Sequence, residues 1–226
     1  MKVASLGLDI AAGKYKYTTE CFQKLAEKYK PKKTSPYFIE IISHLSGADV
    51  IAYSKERKID LIINDLDLIE KRLSKAGEEE KKLLVKLQTA LEQNKLLAEV
   101  LSPEEKERVR DLNLLSLRPC VEIEKGEDEK EVIAQIFEQS GFLLFYTAGP
   151  KEVHAWLLRR GENILKAAAK IHSDLARGFI KGEVINCAEL LKVFNMAEAR
   201  AKGLVKSVDR DYVVEDGDVI EIKFSV

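Results

Sequence analysis

The fold is decided by the stretch Phe142–Leu158, FLLFYTAGPKEVHAWLL, in which two apolar runs are separated by a turn. Phe142–Thr147 and Glu152–Leu158 contain the aromatic and aliphatic residues that are typical of strands. Ala148-Gly149-Pro150 lies between them and contains the two residues that most strongly interrupt regular structure. The stretch therefore predicts a β-hairpin.

The segments that follow predict a small mixed sheet with a helix on one face. Strands are expected at Ile180–Ile185, Tyr212–Val214 and Val219–Val226, and helices at Ile164–His172, Ala188–Phe194 and Ala197–Gly203. The turn Glu215-Asp216-Gly217-Asp218 has the composition of a hairpin turn, which predicts that the last two strands pair. A hairpin, a crossing helix and later strands together form a β-grasp layout.

The preceding half alternates strands and helices, which predicts an α/β layer. Strands are expected at Met1–Leu6, Tyr37–Ile42, Ala48–Tyr53 and Arg118–Ile123, with a loop at Gly7–Lys16. A helix capped by Thr18 or Thr19 is expected to run to about Tyr29, and another is expected at Glu131–Ser140.

Residues 59–111 interrupt this alternation with a purely helical pattern. Apolar residues recur at helical spacing in two sets, each of which forms an apolar seam along a helix. The first set is Ile62, Leu66, Ile69 and Leu73, and the second is Leu84, Leu87, Leu91 and Ala98. Ala76-Gly77 separates the seams, so the sequence predicts an antiparallel helical hairpin. Ser102-Pro103-Glu104-Glu105 then predicts a new helix start, because Ser caps, Pro suits the first position and Glu105 completes a capping box.

Composition narrows the class of protein. The chain has 226 residues, 33% of them charged, and a net charge of −1, so no global basic field favours nucleic acid. Lysines outnumber acids over residues 1–33, which fits either a solvated helix face or an arm that meets an anionic partner. The three cysteines, Cys21, Cys120 and Cys187, are widely spaced, which favours a reduced cytosolic protein without a zinc site. No apolar run is long enough to span a membrane.

Three runs in the last third carry a family resemblance. YTAGPKEVHAW at 146–156, AAKIHSDLARGFIK at 168–181 and RDYVVEDGDV at 210–219 resemble the TGS domain that closes the YchF-type Obg-like ATPases. Upstream the likeness is weaker: Ile59–Leu73 is similar to the start of that family's helical insertion, and Ser102–Pro119 to its exit.

The resemblance implies a three-part organisation. Residues 1–58 and 112–141 would form a reduced, P-loop-like G-domain layer, 59–111 a helical hairpin insertion, and 142–226 a β-grasp TGS domain. The family is implied to hydrolyse ATP or GTP on its G domain and to associate with ribosomes.

The nucleotide site that the family would use is degraded in this chain. A P-loop requires G-x-x-x-x-G-K-[ST], because backbone amides wrap the phosphates and the hydroxyl holds Mg²⁺. The only Gly-Lys pair is Gly13-Lys14; Leu8 stands where the first glycine belongs and Tyr15 where the hydroxyl belongs. Asp9 adds a negative charge to the same loop.

The other two nucleotide-reading elements are also degraded. No aspartate in the chain is followed by glycine three residues later, as the family's switch loop requires. Lys125 lies near the position where the family offers a base-reading asparagine. We therefore expect no nucleotide cofactor; ATP or GTP with Mg²⁺, bound through Gly13 and Lys14, is the alternative.

Candidate binding residues lie in the predicted β-grasp part. Four of them form a basic group at the end of the helix and in the next strand, which are Lys170, His172, Arg177 and Lys181. They suit either RNA phosphate or a protein partner, or they satisfy the terminal carbonyls of the helix. Trp156, on one strand face with His154 and Leu158, is either a core residue or a platform for base stacking.

Catalytic and metal chemistry find no support in these residues. His172 and Asp174 are two apart on a helix and do not face each other, and Glu215–Asp218 lacks the spacing of an EF-hand. We expect a cytoplasmic, non-enzymatic adaptor whose TGS part and helical hairpin bind ribosome, RNA or protein. A weak NTPase and a ligand-sensing regulatory module remain as alternatives.

Overall fold

The computed structural model describes residues 1–124 and 128–225, which form two compact units. The first unit contains Met1–Tyr15 and Ile39–Ser140, and the second contains Lys16–Phe38 and Gly141–Val226. Lys125, the residue nearest the expected base-reading position, lies outside the described residues.

The strands within the described residues are numbered in chain order. They are β1 (Lys2–Leu6), β2 (Gly13–Tyr17), β3 (Lys33–Ser35), β4 (Tyr37–Ile42), β5 (Val50–Ser54), β6 (Cys120–Ile123), β7 (Phe142–Ala148), β8 (Glu152–Arg159), β9 (Phe179–Asn186), β10 (Lys206–Val208) and β11 (Asp218–Phe224).

The α-helices of the same residues are numbered in the same way. They are α1 (Glu20–Tyr29), α2 (Lys58–Leu73), α3 (Glu78–Glu92), α4 (Leu97–Val100), α5 (Pro103–Arg108), α6 (Glu129–Gln139), α7 (Ile164–Ile171), α8 (Ser173–Arg177), α9 (Cys187–Leu191) and α10 (Met196–Ala201).

The first unit contains a sheet with the order β2-β4-β1-β5-β6. β1 pairs in parallel with β4 and β5, and β5 pairs in parallel with β6. Every residue of β5 is buried, as expected for an inner parallel strand that is covered on both faces. The predicted α/β class is confirmed.

The helical pattern of residues 59–111 folds as predicted, with α2 and α3 joined near Ala76-Gly77. Both seams contribute to one core cluster that includes Ile62, Ile69, Leu84, Leu87 and Leu91. The predicted capping box is also present: Ser102 accepts from the backbone of Glu105, whose carboxylate accepts from the Ser102 amide. By contacts, these helices belong to the first unit.

A buried carboxylate holds the return from this helical segment. Asp65 of α2 is fully buried and accepts hydrogen bonds from the Leu115 amide at 2.7 Å, the Ser116 amide at 2.8 Å and the Ser116 hydroxyl at 2.5 Å. Burial raises the pKa of Asp65, and these hydrogen bonds oppose that shift. The carboxylate serves as a structural cap of the turn at Leu115–Leu117.

The second unit contains a six-stranded sheet with the order β10-β9-β11-β7-β8-β3. β7 and β8 form the predicted antiparallel hairpin, and β11 pairs in parallel with β7. Phe145 lies in the core cluster that contains α7, whereas the ring of Tyr146 lies 6.5 Å from that of Phe22 in α1. Because successive strand residues point to opposite faces, α7 and α1 cover opposite faces of this sheet.

Residues 16–38 lie in the second unit, so the prediction that they belong to the first layer is wrong. Two interactions account for this placement. β3 was not predicted as a strand, and it extends the second sheet by pairing in parallel with β8. Cys21 of α1 forms a disulfide with Cys187, at the start of α9 and 166 residues away. The expectation of reduced, unpaired cysteines is therefore wrong for these two; Cys120 is free.

Three local predictions require correction. The loop expected at Gly7–Lys16 contains β2. The strand expected at Tyr212–Val214 is reduced to an isolated bridge between Asn163 and Val213. β9 pairs with β10 on one side and with β11 on the other. β11 also pairs with β7, and it does not form a hairpin across Glu215–Asp218.

The acidic turn is nevertheless fixed by its own carboxylates. The Leu144 amide donates to Asp216 at 2.9 Å, and the Tyr212 hydroxyl donates to Asp218 at 2.9 Å. Asp218 is buried and also accepts from the Glu215 amide at 2.9 Å. These carboxylates hold backbone and side chains of the turn together, as the prediction of a turn requires.

No helix among the described residues is both long and apolar enough to cross a membrane.

We predict that removing the disulfide destabilises the second unit. The bond closes a loop of 166 residues. Closing such a loop restricts the unfolded chain by about 5 kcal/mol in the chain-entropy treatment, so Cys21→Ser with Cys187→Ser lowers Tm by about 10–20 °C. The emission of Trp156, the single tryptophan, reports unfolding of this unit. Dithiothreitol lowers Tm of the wild-type chain similarly and leaves the double variant unchanged.

Cys120→Ser is the matched control for this experiment, since Cys120 is outside the disulfide, and the variant must keep its sensitivity to dithiothreitol. A wild-type Tm that does not respond to the reductant contradicts the assignment of the bond.

Candidate binding surface

The residues of the alternative nucleotide site lie at the start of an edge strand. Gly13 and Lys14 are exposed and begin β2, and α1 begins at Glu20 in the other unit. A P-loop requires a helix directly after its Gly-Lys, because the amides at the N-terminus of that helix bind the phosphates. This local structure does not supply those amides.

Tyr15 occupies the position of the magnesium-binding hydroxyl. Its hydroxyl donates to the Ala11 carbonyl at 2.9 Å and lies 3.4 Å from a carboxylate oxygen of Glu129. The Tyr15 hydroxyl is thus held by a backbone carbonyl and by the Glu129 carboxylate. It also lies at the far end of an aromatic ring, which a serine or threonine does not have.

The end of β1, where a P-loop would begin, is covered by side chains. Gly7 has a φ of 75°, and a Cβ atom at this position would collide with Arg57 and Ser54. Ser54 ends β5, and Arg57 forms an ion pair with Asp60 at 2.8 Å. The residues present at Gly7–Tyr15 therefore do not fit a triphosphate with Mg²⁺. Within residues 1–124 and 128–225, no group of three or more His, Cys, Asp or Glu is placed to hold a metal.

The basic group predicted from the sequence lies on consecutive elements of the second unit. Lys170 is in the last turn of α7, His172 separates α7 from α8, Arg177 ends α8, and Lys181 is in β9. All but His172 are exposed cations; the His172 ring is also largely exposed, with 65% of the side chain accessible.

Asp174 organises half of this basic group. Its amide donates to His172 Nδ1 at 3.2 Å, and its carboxylate pairs with Arg177 at 2.9 Å. Lys170 and Lys181 have no carboxylate partner in the part of the chain that the structure describes, and no side-chain bond there joins Lys170 or Arg177 to a helix carbonyl. Lys170 and Arg177 nevertheless lie in the last turns of α7 and α8, where a cation interacts favourably with the helix dipole. Lys170 and Lys181 are the cations of the group without a carboxylate partner among the described residues.

Trp156 is packed on both sides rather than presented as a free platform. Its ring lies 3.7 Å from the His154 ring and 6.4 Å from the Phe145 ring, each nearly parallel to it. Its Nε1 donates to Thr147 Oγ1 at 3.0 Å, and the residue packs against the core cluster of α7. The geometry favours the packing interpretation, with His154 on the more accessible side of the stack.

Several features of the site were not found from the sequence. The contact of Gly7 with Arg57 and the Cys21–Cys187 disulfide join residues that are distant in sequence, whereas the Asp174–Arg177 ion pair is local to α8. Only the Asp174 pair left a signal, since Asp174 and Arg177 are three residues apart, a spacing at which opposite charges meet on a helix.

Comparison with known proteins finds a family match over the last third of the chain and a solved structure with the same fold. Residues 142–225 match the family model YchF-GTPase_C, described as a protein of unknown function (DUF933). The chain is 27% identical over 255 aligned residues to the "Ribosome-binding ATPase YchF" of Bacillus subtilis, covering 82% of this chain and 70% of that protein. The structure of the Schizosaccharomyces pombe YchF GTPase superposes with a TM-score of 0.80, covering 99% of this chain and 97% of that chain at 17% identity.

Residues 142–225 of the chain thus resemble the YchF family in sequence, and the chain is similar to YchF-type proteins. The superposition confirms the predicted mixed α/β fold class. The alignment with the Bacillus protein is longer than the chain itself, so within the aligned region that protein contains segments that this chain lacks.

The remaining similarity is concentrated in part of the chain. The Mycoplasma genitalium "Ribosome-binding ATPase YchF" is 39% identical over 95 residues, and the chicken (Gallus gallus) "Obg-like ATPase 1" is 43% identical over 81 residues. The matched part of the chain spans 26% and 20% of the length of these two proteins.

We predict a pH dependence centred on the stack of His154 and Trp156. Burial lowers the pKa of His154, and the Glu152 carboxylate opposes that shift. The unfolded chain therefore takes up the proton first, so the stabilising contribution of neutral His154 is present above about pH 6.5 and is lost as the pH falls through this range. Denaturant titrations followed by Trp156 emission should give a lower unfolding free energy at pH 5.5 than at pH 7.5.

His154→Phe keeps an aromatic ring in the stack and has no charge to gain. The difference between the two pH values must shrink in this variant; an unchanged difference assigns the effect to another group.

Proposed function

We propose that the chain is a non-catalytic binding protein that associates with the ribosome through RNA contacts of its second unit. The observation that carries this proposal is the contrast between residues 142–225 and the turn Gly7–Tyr15. Residues 142–225 keep the family sequence, whereas Gly7–Tyr15 has neither the helix, the hydroxyl nor the open turn that a bound triphosphate needs. Two relatives are named ribosome-binding ATPases. This chain is proposed to retain the ribosome binding and not the ATPase activity.

Each of the three predicted parts of the chain is proposed to have its own role. Residues 142–226 act as a TGS β-grasp domain and carry the ribosome contact. Residues 1–58 with 112–141 are a reduced G-domain layer with a degenerate P-loop, and 59–111 are the helical insertion, which offers a second surface for a protein partner. A ribosome partner places the chain in the cytoplasm.

Exposed, uncompensated cations support the choice of RNA as the partner. Lys170 and Lys181 project from neighbouring elements of the unit and lack ion pairs among the described residues. Phosphate contacts need such free charges, because binding gains from releasing the counterions of the nucleic acid. His172 and Arg177, held by Asp174, contribute further hydrogen-bond donors.

Nucleotide binding is the rival function, and the names of the relatives favour it. The Bacillus and chicken proteins are both called ATPases, which implies a nucleotide with Mg²⁺ in those proteins. In this chain such a site would have to use Gly13 and Lys14 from an edge strand. The non-catalytic role is preferred because Tyr15 and Gly7 do not fit a bound triphosphate with Mg²⁺.

We predict that Lys170→Glu with Lys181→Glu weakens co-sedimentation with ribosomes of the source organism. Replacing two phosphate-facing cations by anions should lower the association constant by at least tenfold at 50 mM salt. The slope of log K against log salt should become shallower by about 1–2. Both quantities come from co-sedimentation across a range of salt concentrations.

Lys55→Glu with Lys130→Glu is the matched control, because it changes the net charge equally at exposed positions of the first unit. The control must bind like the wild-type chain. If the Lys170 and Lys181 variant also binds normally, the proposed surface is wrong.

A further inference from the structure

A cavity opens where two parallel strands of the second unit separate. β7 and β11 pair at Tyr146 and Val219, and the residues after this pair line a cavity of about 560 Å³. Thr147 and Ala148 lie on the β7 side, and Ile220 and Ile222 lie on the β11 side. Ligand pockets in proteins occupy a few hundred to about 1,000 Å³, so this volume suits a small molecule.

The lining of this cavity is mostly apolar. Side chains from three helices complete it, since Ile171 ends α7, Leu175 lies in α8 and Met196 begins α10. An apolar lining of this kind gains from burying an apolar ligand body.

The charged residues around the cavity leave one cation uncompensated. Glu152 accepts from the Ser35 hydroxyl at 2.6 Å and pairs with Lys33 at 2.9 Å. Glu221 pairs with Arg200 and Lys223. Lys151 has no carboxylate partner within residues 1–124 and 128–225. The charge available to a ligand is therefore the ammonium group of Lys151.

We propose that this cavity binds an amphipathic anion, a molecule with an apolar body and one carboxylate, sulfonate or phosphate group. The apolar body lies between the separated ends of β7 and β11, and the anionic group lies at Lys151. This site is separate from the basic group, whose members do not line the cavity. The proposal does not depend on ribosome binding.

The chain carries its own reporter for this site. Trp156 is the single tryptophan, and its Nε1 donates to Thr147, a residue of the cavity wall. A fluorescent ligand in the cavity is therefore close enough to accept excitation energy from Trp156.

The test uses 1-anilinonaphthalene-8-sulfonate, which has an aromatic body and one sulfonate. Titration of the full chain should give saturable binding of one probe per chain, with energy transfer from Trp156. Decanoate should displace the probe and raise Tm, because it binds the folded state. Decanol and decyltrimethylammonium, with the same apolar length and no anion, should displace it at least tenfold less well.

Two variants locate the site. Lys151→Ala should weaken binding of the probe and of decanoate at least tenfold, and Ala148→Phe should abolish it by filling the cavity. Lys166→Ala, which removes an exposed cation from α7 outside the cavity, should bind like the wild-type chain. Far-UV circular dichroism confirms that each variant is folded.

The proposal is overturned if Lys151→Ala binds decanoate as tightly as the wild-type chain, or if the cationic and neutral compounds compete equally with decanoate. It is also overturned if probe binding does not saturate. These outcomes remain decisive if Ala148→Phe fails to fold, because Lys151→Ala and the competition series do not depend on it.

Discussion

The second unit depends on the burial of Tyr146 at the centre of its sheet. Tyr146 lies in β7 with only 1% of its surface exposed, pairs across to Val219 of β11, and contacts Phe22 of α1. Its hydroxyl lies 2.6 Å from Thr19 Oγ1, the hydroxyl that caps α1. One side chain therefore joins the central strand pair to the helix that covers one face, and burial raises the pKa of its phenol.

The two candidate sites can be located relative to Tyr146 and its neighbour Phe145. Beyond Tyr146 the strands β7 and β11 separate and form the cavity beside Lys151. Phe145, its neighbour in sequence, points to the opposite face and contributes to the core under α7. The basic group begins at the end of α7, so its position follows from the packing of that helix on the sheet.

Much of this architecture is readable from local patterns. The hairpin at Phe142–Leu158, the two helical seams and the capping box at Ser102 each depend on residues close in sequence, and each is present. The failures concern long-range pairing. Residues 16–38 look like part of the first layer because nothing local shows that Cys21 meets Cys187 or that β3 pairs with β8. The cavity and the Arg57 contact with Gly7 are invisible for the same reason.

The disulfide also bears on where the chain works. Such bonds are rare in the cytosol outside hyperthermophiles, whereas a ribosome partner requires a cytosolic chain. The Cys21–Cys187 pair therefore restricts the proposed function to a cytosol that tolerates this bond, or to an oxidised form of the protein. The bond ties α1 to α9, so it stabilises the unit without contributing to the basic group or to Lys151.

The central claim is that the turn Gly7–Tyr15 cannot hold a triphosphate and its magnesium. Titration of ATP and GTP with Mg²⁺, with Tm as the readout, tests it most directly, because a ligand that binds the folded state must stabilise it. The account predicts no shift in Tm at millimolar nucleotide. A rise of several degrees that Lys14→Ala removes would contradict it.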